Sequence, residues 1–133
     1  MPDDRPSAAE LVDAVTEFLE HDLQPSLDGR LAFHTRVSVN ALKIVRREME
    51  LGPDLDATRH SGLRALLGAD VSDGASTREM DVELARRIRA GAFDDRRPEL
   101  VAYLRATLRL QLDIVHPGYI RGTREITGEA PGA

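Results

Sequence analysis

The hydrophobic pattern of the chain is helical throughout. Between Arg30 and Leu51, RLAFHTRVSVNALKIVRREMEL, the residues Phe33, Val37, Ala41, Ile44, Val45, Met49 and Leu51 recur at spacings of three and four. At 100° per residue they share an arc of roughly 200° with Leu31, Leu42 and the polar His34, Ser38, Asn40 and Glu48. Thr35, Arg36, Val39, Lys43, Arg46, Arg47 and Glu50 take the remaining face. A surface helix needs an apolar stripe of only about 100°. The pattern therefore predicts a long central helix, about 30–51, that is closed by Gly52-Pro53 and covered by several neighbours.

The flanking segments carry their own punctuation. Ser7-x-x-Glu10 is a capping box that opens a first helix, with Leu11, Val12, Val15, Phe18, Leu19 and Asp22 on its stripe. Gln24-Pro25 ends it, and the QPSLDG turn is short enough to bring helices one and two antiparallel. A weaker helix is expected over 54–67, with Leu55, Leu63, Leu66 and Leu67 on its stripe and an irregular middle at Ser61-Gly62. After the polar loop ADVSDGAS, a second capping box, Ser76-x-x-Glu79, opens a helix through Met80, Leu84 and Ile88 that stops at Gly91. Pro98 and Glu99 suit the first turn of a last helix that carries Leu100, Val101, Leu104, Leu108, Leu112 and Val115. No strand pattern and no solenoid repeat competes with this reading. The fold class expected is all-α, a single-domain bundle of about five helices over 1–118, with a docked stub and flexible tail at 119–133.

Composition narrows the function. The 133 residues leave room for one ordinary domain, and 23 acidic against 18 basic residues give a net charge of -5. No overall positive field exists to gather a phosphate backbone, so nucleic acid is not expected as a partner. The absence of cysteine excludes disulfides, thiolate metal sites and a Cys nucleophile. The opening residues lack the basic and apolar regions of a secretory signal, and no apolar run reaches the ~20 residues of a membrane span. A cytoplasmic location without membrane contact is the expectation.

Few motifs carry chemistry. Asp54-Leu-Asp56-Ala-Thr58 fits the pattern of aspartyl-phosphate phosphotransferases, but it follows a helix end instead of a buried strand, so both carboxylates are expected in the first turn of a helix. Asp70-Val-Ser-Asp73-Gly74 misplaces the glycine of a calcium loop and reads as a turn. The four histidines have no metal-ligand spacing, so neither metal nor cofactor is expected. His34, Ser38, Asn40 and Glu48 form the candidate polar cluster, because polar groups inside an apolar arc must find partners or cost about 1–3 kcal/mol each. Either they are a hydrogen-bonded packing network or they line a cleft or self-association face. Arg36, Lys43, Arg46 and Arg47 make a basic strip opposite, a candidate interaction surface; Arg86, Arg87 and Arg89 make another, with Glu83 and Arg87 spaced to pair.

Arg5-Pro6, Leu27-Asp28-Gly29-Arg30, Phe33-His34, Asn40-Ala41, Glu50-Leu51-Gly52 and Leu66-Leu67-Gly68 carry a resemblance over nearly the whole chain. The sequence resembles a bacterial family of small helical proteins that has no established activity. The resemblance implies a genomic neighbourhood of aminoglycoside-phosphotransferase-like kinases and acyl-CoA dehydrogenases, hence breakdown of hydroxylated acyl-CoA compounds. It implies no catalytic residue.

Three functions follow as expectations. The first is a non-catalytic accessory protein that binds the kinase-like enzyme or the dehydrogenase through a helical face. The second is a small enzyme or ligand-binding module with a polar cleft around His34 and Asn40. The third is a self-associating bundle, a homodimer through spare apolar surface.

Overall fold

The computed structural model describes residues 4–119, and all its regular structure is helical. Helix α1 is Ala8–Glu17, continued by a π-helical turn, Phe18–Leu23, and a 3₁₀ turn, Gln24–Ser26. Helix α2 is Gly29–Leu67, α3 is Thr77–Arg89 and α4 is Arg97–Val115. The chain divides into two compact units, residues 1–50 and 51–133. The stub and tail expected at 119–133 lie, apart from Tyr119, outside the described residues.

Four helices replace the expected five because α2 runs for 39 residues straight through Gly52-Pro53. Pro53 lacks the N–H that would bond the Met49 carbonyl, a defect that usually ends or bends a helix. Here the backbone tolerates it, and the division between the units falls within one turn of it. Asp54 and Asp56 accordingly lie inside a helix and not in its first turn.

Local signals set the other ends. The Ser7 hydroxyl accepts the Glu10 N–H at 3.2 Å while the Glu10 carboxylate accepts the Ser7 N–H at 2.7 Å. Ser76 and Glu79 repeat the exchange at 3.1 and 2.7 Å. Both boxes satisfy donors that a first helical turn leaves unpaired. Gly29, at φ +59°, makes the left-handed turn into α2, and Gly91, at φ +81°, closes α3. Pro98 stands in the first turn of α4.

Unit 2 holds a core. Leu63, Leu66 and Leu67 of α2, Met80 and Leu84 of α3, and Phe93 of the α3–α4 connection are buried together, with Val71, Ala75, Leu100 and Tyr103 packed on them. Gly62, expected to loosen its helix, is instead a position where Tyr103 of α4 comes close against the α2 backbone. A methyl group there would lie inside the Tyr103 ring. The C-terminal carbonyls of α2 are met by arginines: Arg87 Nη1 donates to Leu67 O at 2.9 Å and Arg96 Nη1 to Leu66 O at 3.2 Å. Arg96 also lies over the Phe93 ring, 5.2 Å from its centroid. Arg64 ties down the following loop through the Val71, Ser72 and Asp73 carbonyls at 3.2, 2.7 and 2.7 Å.

Unit 1 is a helical hairpin with almost no interior. Lys43 pairs with Glu20 at 2.6 Å and Arg46 with Asp13 at 3.1 Å. The earlier residue of α1 meets the later residue of α2, so the two helices are antiparallel, as the short turn requires. Among the described residues of unit 1, only Val39 is buried, at 2% exposure.

Candidate functional site

The hairpin turns the arc of α2 the opposite way from the expectation. Val39 is buried and Ala32, Thr35, Leu42, Ile44, Arg46 and Arg47 are half-buried, most of them centred on the edge read as solvated; of the expected arc within unit 1 only Leu42 and Ile44 are partly covered. Phe33, Val37, Val45 and Met49 are exposed, as are His34, Ser38, Asn40 and Glu48. The physical reason is long-range: the carboxylates of Asp13 and Glu20 on the first helical segment draw the cationic edge of α2 towards it. Lys43 and its hydrogen bond to Glu20 hold that carboxyl below its ordinary value.

The basic strip is therefore divided. Lys43 and Arg46 are engaged within unit 1, Arg46 also reaching Glu50 at 3.6 Å. With Arg47, Asp13, Glu20 and His21 they line a charged cleft of about 400 Å³. Arg36 is exposed. The second strip is structural in the same way: Glu83 takes Arg86 at 2.6 Å and Arg87, the expected partner, at 2.9 Å. The hydrogen bonds from Arg86 and then Arg87 lower the Glu83 carboxyl to about 2.

The candidate polar cluster does not converge. The Ser38 hydroxyl donates to the His34 carbonyl at 2.9 Å, a bond within its own helix. His34 and Glu48 are 14 residues apart, about 21 Å of helix. Such side chains cannot act on one bound substrate atom together. What they share is a face.

A feature missed in the sequence lies in unit 2. Tyr103 of α4 sits against Gly62 beside an open, mainly apolar cleft of about 660 Å³, lined also by Thr58, Ser61 and Glu99. Arg59 and Asp81 form an ion pair that joins α2 to α3. Burial raises the Tyr103 phenol above its ordinary value, the Asp81 charge adds to that, and hydrogen bonding to Arg59 opposes it. The phenol stays protonated at neutral pH. A glycine facing an aromatic ring 41 residues away leaves no local signal.

Two rows of large apolar side chains remain exposed. Unit 1 offers eight among its described residues, Leu11, Val15, Phe18, Leu31, Phe33, Val37, Val45 and Met49, at 42–57% exposure. On α4, Val101, Leu104, Leu108 and Val115 are 41–55% exposed. Their spacing of three, four and seven is that of a helix-pairing seam. The adjoining side of α4, about 100° round the helix through Leu100 and Tyr103, is packed into unit 2.

Among the described residues, no group of three or more His, Asp or Glu side chains could hold a metal ion, and no helix is long and apolar enough to cross a membrane. No buried side-chain polar atom lacks a partner there. Among the described residues the fold is all helical, and its exposed rows of apolar side chains are its most distinctive surface. The family model for a domain of unknown function, DUF6285, matches residues 25–119, well over half the chain, and the protein belongs to that family. No curated protein and no solved structure matches it.

Proposed function

We propose that this protein is a non-catalytic accessory protein that acts by binding another polypeptide, an aminoglycoside-phosphotransferase-like kinase of acyl-CoA breakdown, with an acyl-CoA dehydrogenase as the second candidate. The observation that carries the binding role is the seam on α4. Val101, Leu104, Leu108 and Val115 stay exposed on a helix whose adjoining side, through Leu100, Tyr103 and Ile114, is already packed. Arg105 and Arg109 flank the seam on one side and have no acidic partner among the described residues. The partner chemistry that fits is an amphipathic helix with an acidic flank. The choice of enzyme rests on the family resemblance alone. The spread of His34, Ser38, Asn40 and Glu48 along one face favours this reading over a small enzyme.

The test is affinity capture of the tagged full-length chain from its native cell, followed by native mass spectrometry. Recovery of a kinase-like or dehydrogenase chain at fixed stoichiometry, lost on Leu104→Asp with Leu108→Asp, is the expected result. Both positions are exposed, so circular dichroism of that variant should match the parent. Recovery of this chain without either enzyme overturns the reading.

A further inference from the structure

The exposed face of unit 1 carries a separate inference, which refines the binding role proposed above by naming a different occupant for a different surface. We propose that the α2 arc from Phe33 to Met49 pairs with the same arc of a second copy of this chain, antiparallel about a two-fold axis at Ala41.

Three observations carry this. The first is area. Side chains of this size at about half exposure leave on the order of 100 Å² each, so Phe33, Val37, Val45 and Met49 of the arc offer about 400 Å², the apolar share of the roughly 800 Å² that one partner contributes to a standard interface. Their disposition suits one face: Lys43, Arg46, Arg47 and the α1 carboxylates occupy one edge of the hairpin seam. The helical progression then puts Leu11 and Val15 of α1 on the other edge, beside Val45 and Met49.

The second is register. An antiparallel copy centred on Ala41 sets Phe33 opposite Met49 and Val37 opposite Val45 of the second copy. Val37 and Val45, each about 40° from Ala41 around the helix, thus interdigitate near the axis, while Phe33 and Met49, each about 80° from it, cover the two flanks of the contact. Ala41, exposed and small, lets the two backbones approach at the axis. A two-fold contact must be complementary to itself, and this sequence is.

The third is charge. The arc carries Arg30 and His34 towards its N-terminal end and Glu48 towards its C-terminal end. An antiparallel copy sets His34 opposite Glu48 of the second copy, twice, whereas a parallel copy sets each group against itself. The remaining polar residues of the arc, Ser38 and Asn40, are neutral. An acidic or basic partner would find no matching field on this face.

The test uses the full-length chain, which has no cysteine of its own. Sedimentation equilibrium over a wide concentration range should show a dimer, weakened at least tenfold by Val37→Asp without loss of helicity. Ala41→Cys should give a disulfide-linked dimer on mild oxidation, while Gln111→Cys on α4 should not. Glu48→Lys should weaken association several-fold, and adding His34→Glu should restore it. A chain that is monomeric at every concentration overturns the proposal. So does a dimer indifferent to Val37→Asp, or one in which the charge exchange restores nothing. A monomer that still recovers the kinase-like enzyme would overturn this pairing and leave the accessory role standing, whereas a dimer that recovers no enzyme would do the reverse.

Discussion

Unit 1 and unit 2 are built from the same materials and use them in opposite ways. In unit 2 the apolar positions of α3 and of the end of α2 meet each other, and charged side chains work at the margins, closing helix ends and loops. In unit 1 charged side chains line one edge of the seam, the seam itself holds only Val39 buried among half-buried neighbours, and most of the large apolar positions look outwards. Ion pairs exposed to this degree contribute little, commonly 0–1 kcal/mol each. They orient the hairpin without giving it a core. Unit 2 has its stabilisation inside; unit 1 has surface that becomes stabilising only when something covers it.

The largest effect expected from this contrast is at Leu63, which is fully buried. Leu63→Ala should lower the unfolding free energy by about 2–5 kcal/mol. Phe33→Ala, which removes a larger side chain from unit 1, should stay within about 0.5 kcal/mol in the dissociated chain. Denaturant titration at low protein concentration reads both, and equal losses would erase the distinction between the units.

Gly62→Ala sharpens the comparison from within unit 2. Helix propensity alone argues for a gain of about 1 kcal/mol. The added methyl must displace the Tyr103 ring, and overpacking of this sort costs about 1–3 kcal/mol. The melting temperature should therefore fall; a rise would show that α4 yields easily and that the close approach is unimportant.

The smallest effect is electrostatic. Glu83 titrates near 2 when folded, against 4.5 for the free carboxyl. A folded-state value below the unfolded one gives stability that is present above pH 4.5 and is lost as the pH falls towards 2. Glu83→Gln should flatten that part of the pH–stability curve. An unchanged acid limb would mean that the Arg86 and Arg87 contacts do not persist in solution.

Legibility in the sequence divides along the range of the interaction. Both capping boxes, the glycines at 29 and 91, Pro98 and the Glu83–Arg87 pair are set by residues three or four apart, and the pattern displays them. Pro53 misleads because a local rule for breaking a helix is overridden by its surroundings. Phe93 stands alone in an aperiodic connection, so no periodicity announces it as core. The direction of the α2 arc was hidden for a different reason. An arc of about 200° shows that the helix has a wide apolar side but not which edge meets its neighbour, and the deciding contact, Asp13 with Arg46, spans 33 residues. His34, Ser38, Asn40 and Glu48 look odd within the apolar arc because that arc faces solvent, where polar groups need no buried partner.

The central claim is that unit 1 lacks a core of its own whereas unit 2 has one. Amide hydrogen exchange followed by mass spectrometry, at protein concentrations below and above association, tests it most directly. Residues 63–67 and 80–88 should be strongly protected at both concentrations, while residues 31–49 should exchange fast when dilute and become protected when concentrated. Equal, concentration-independent protection of the two segments would contradict the claim.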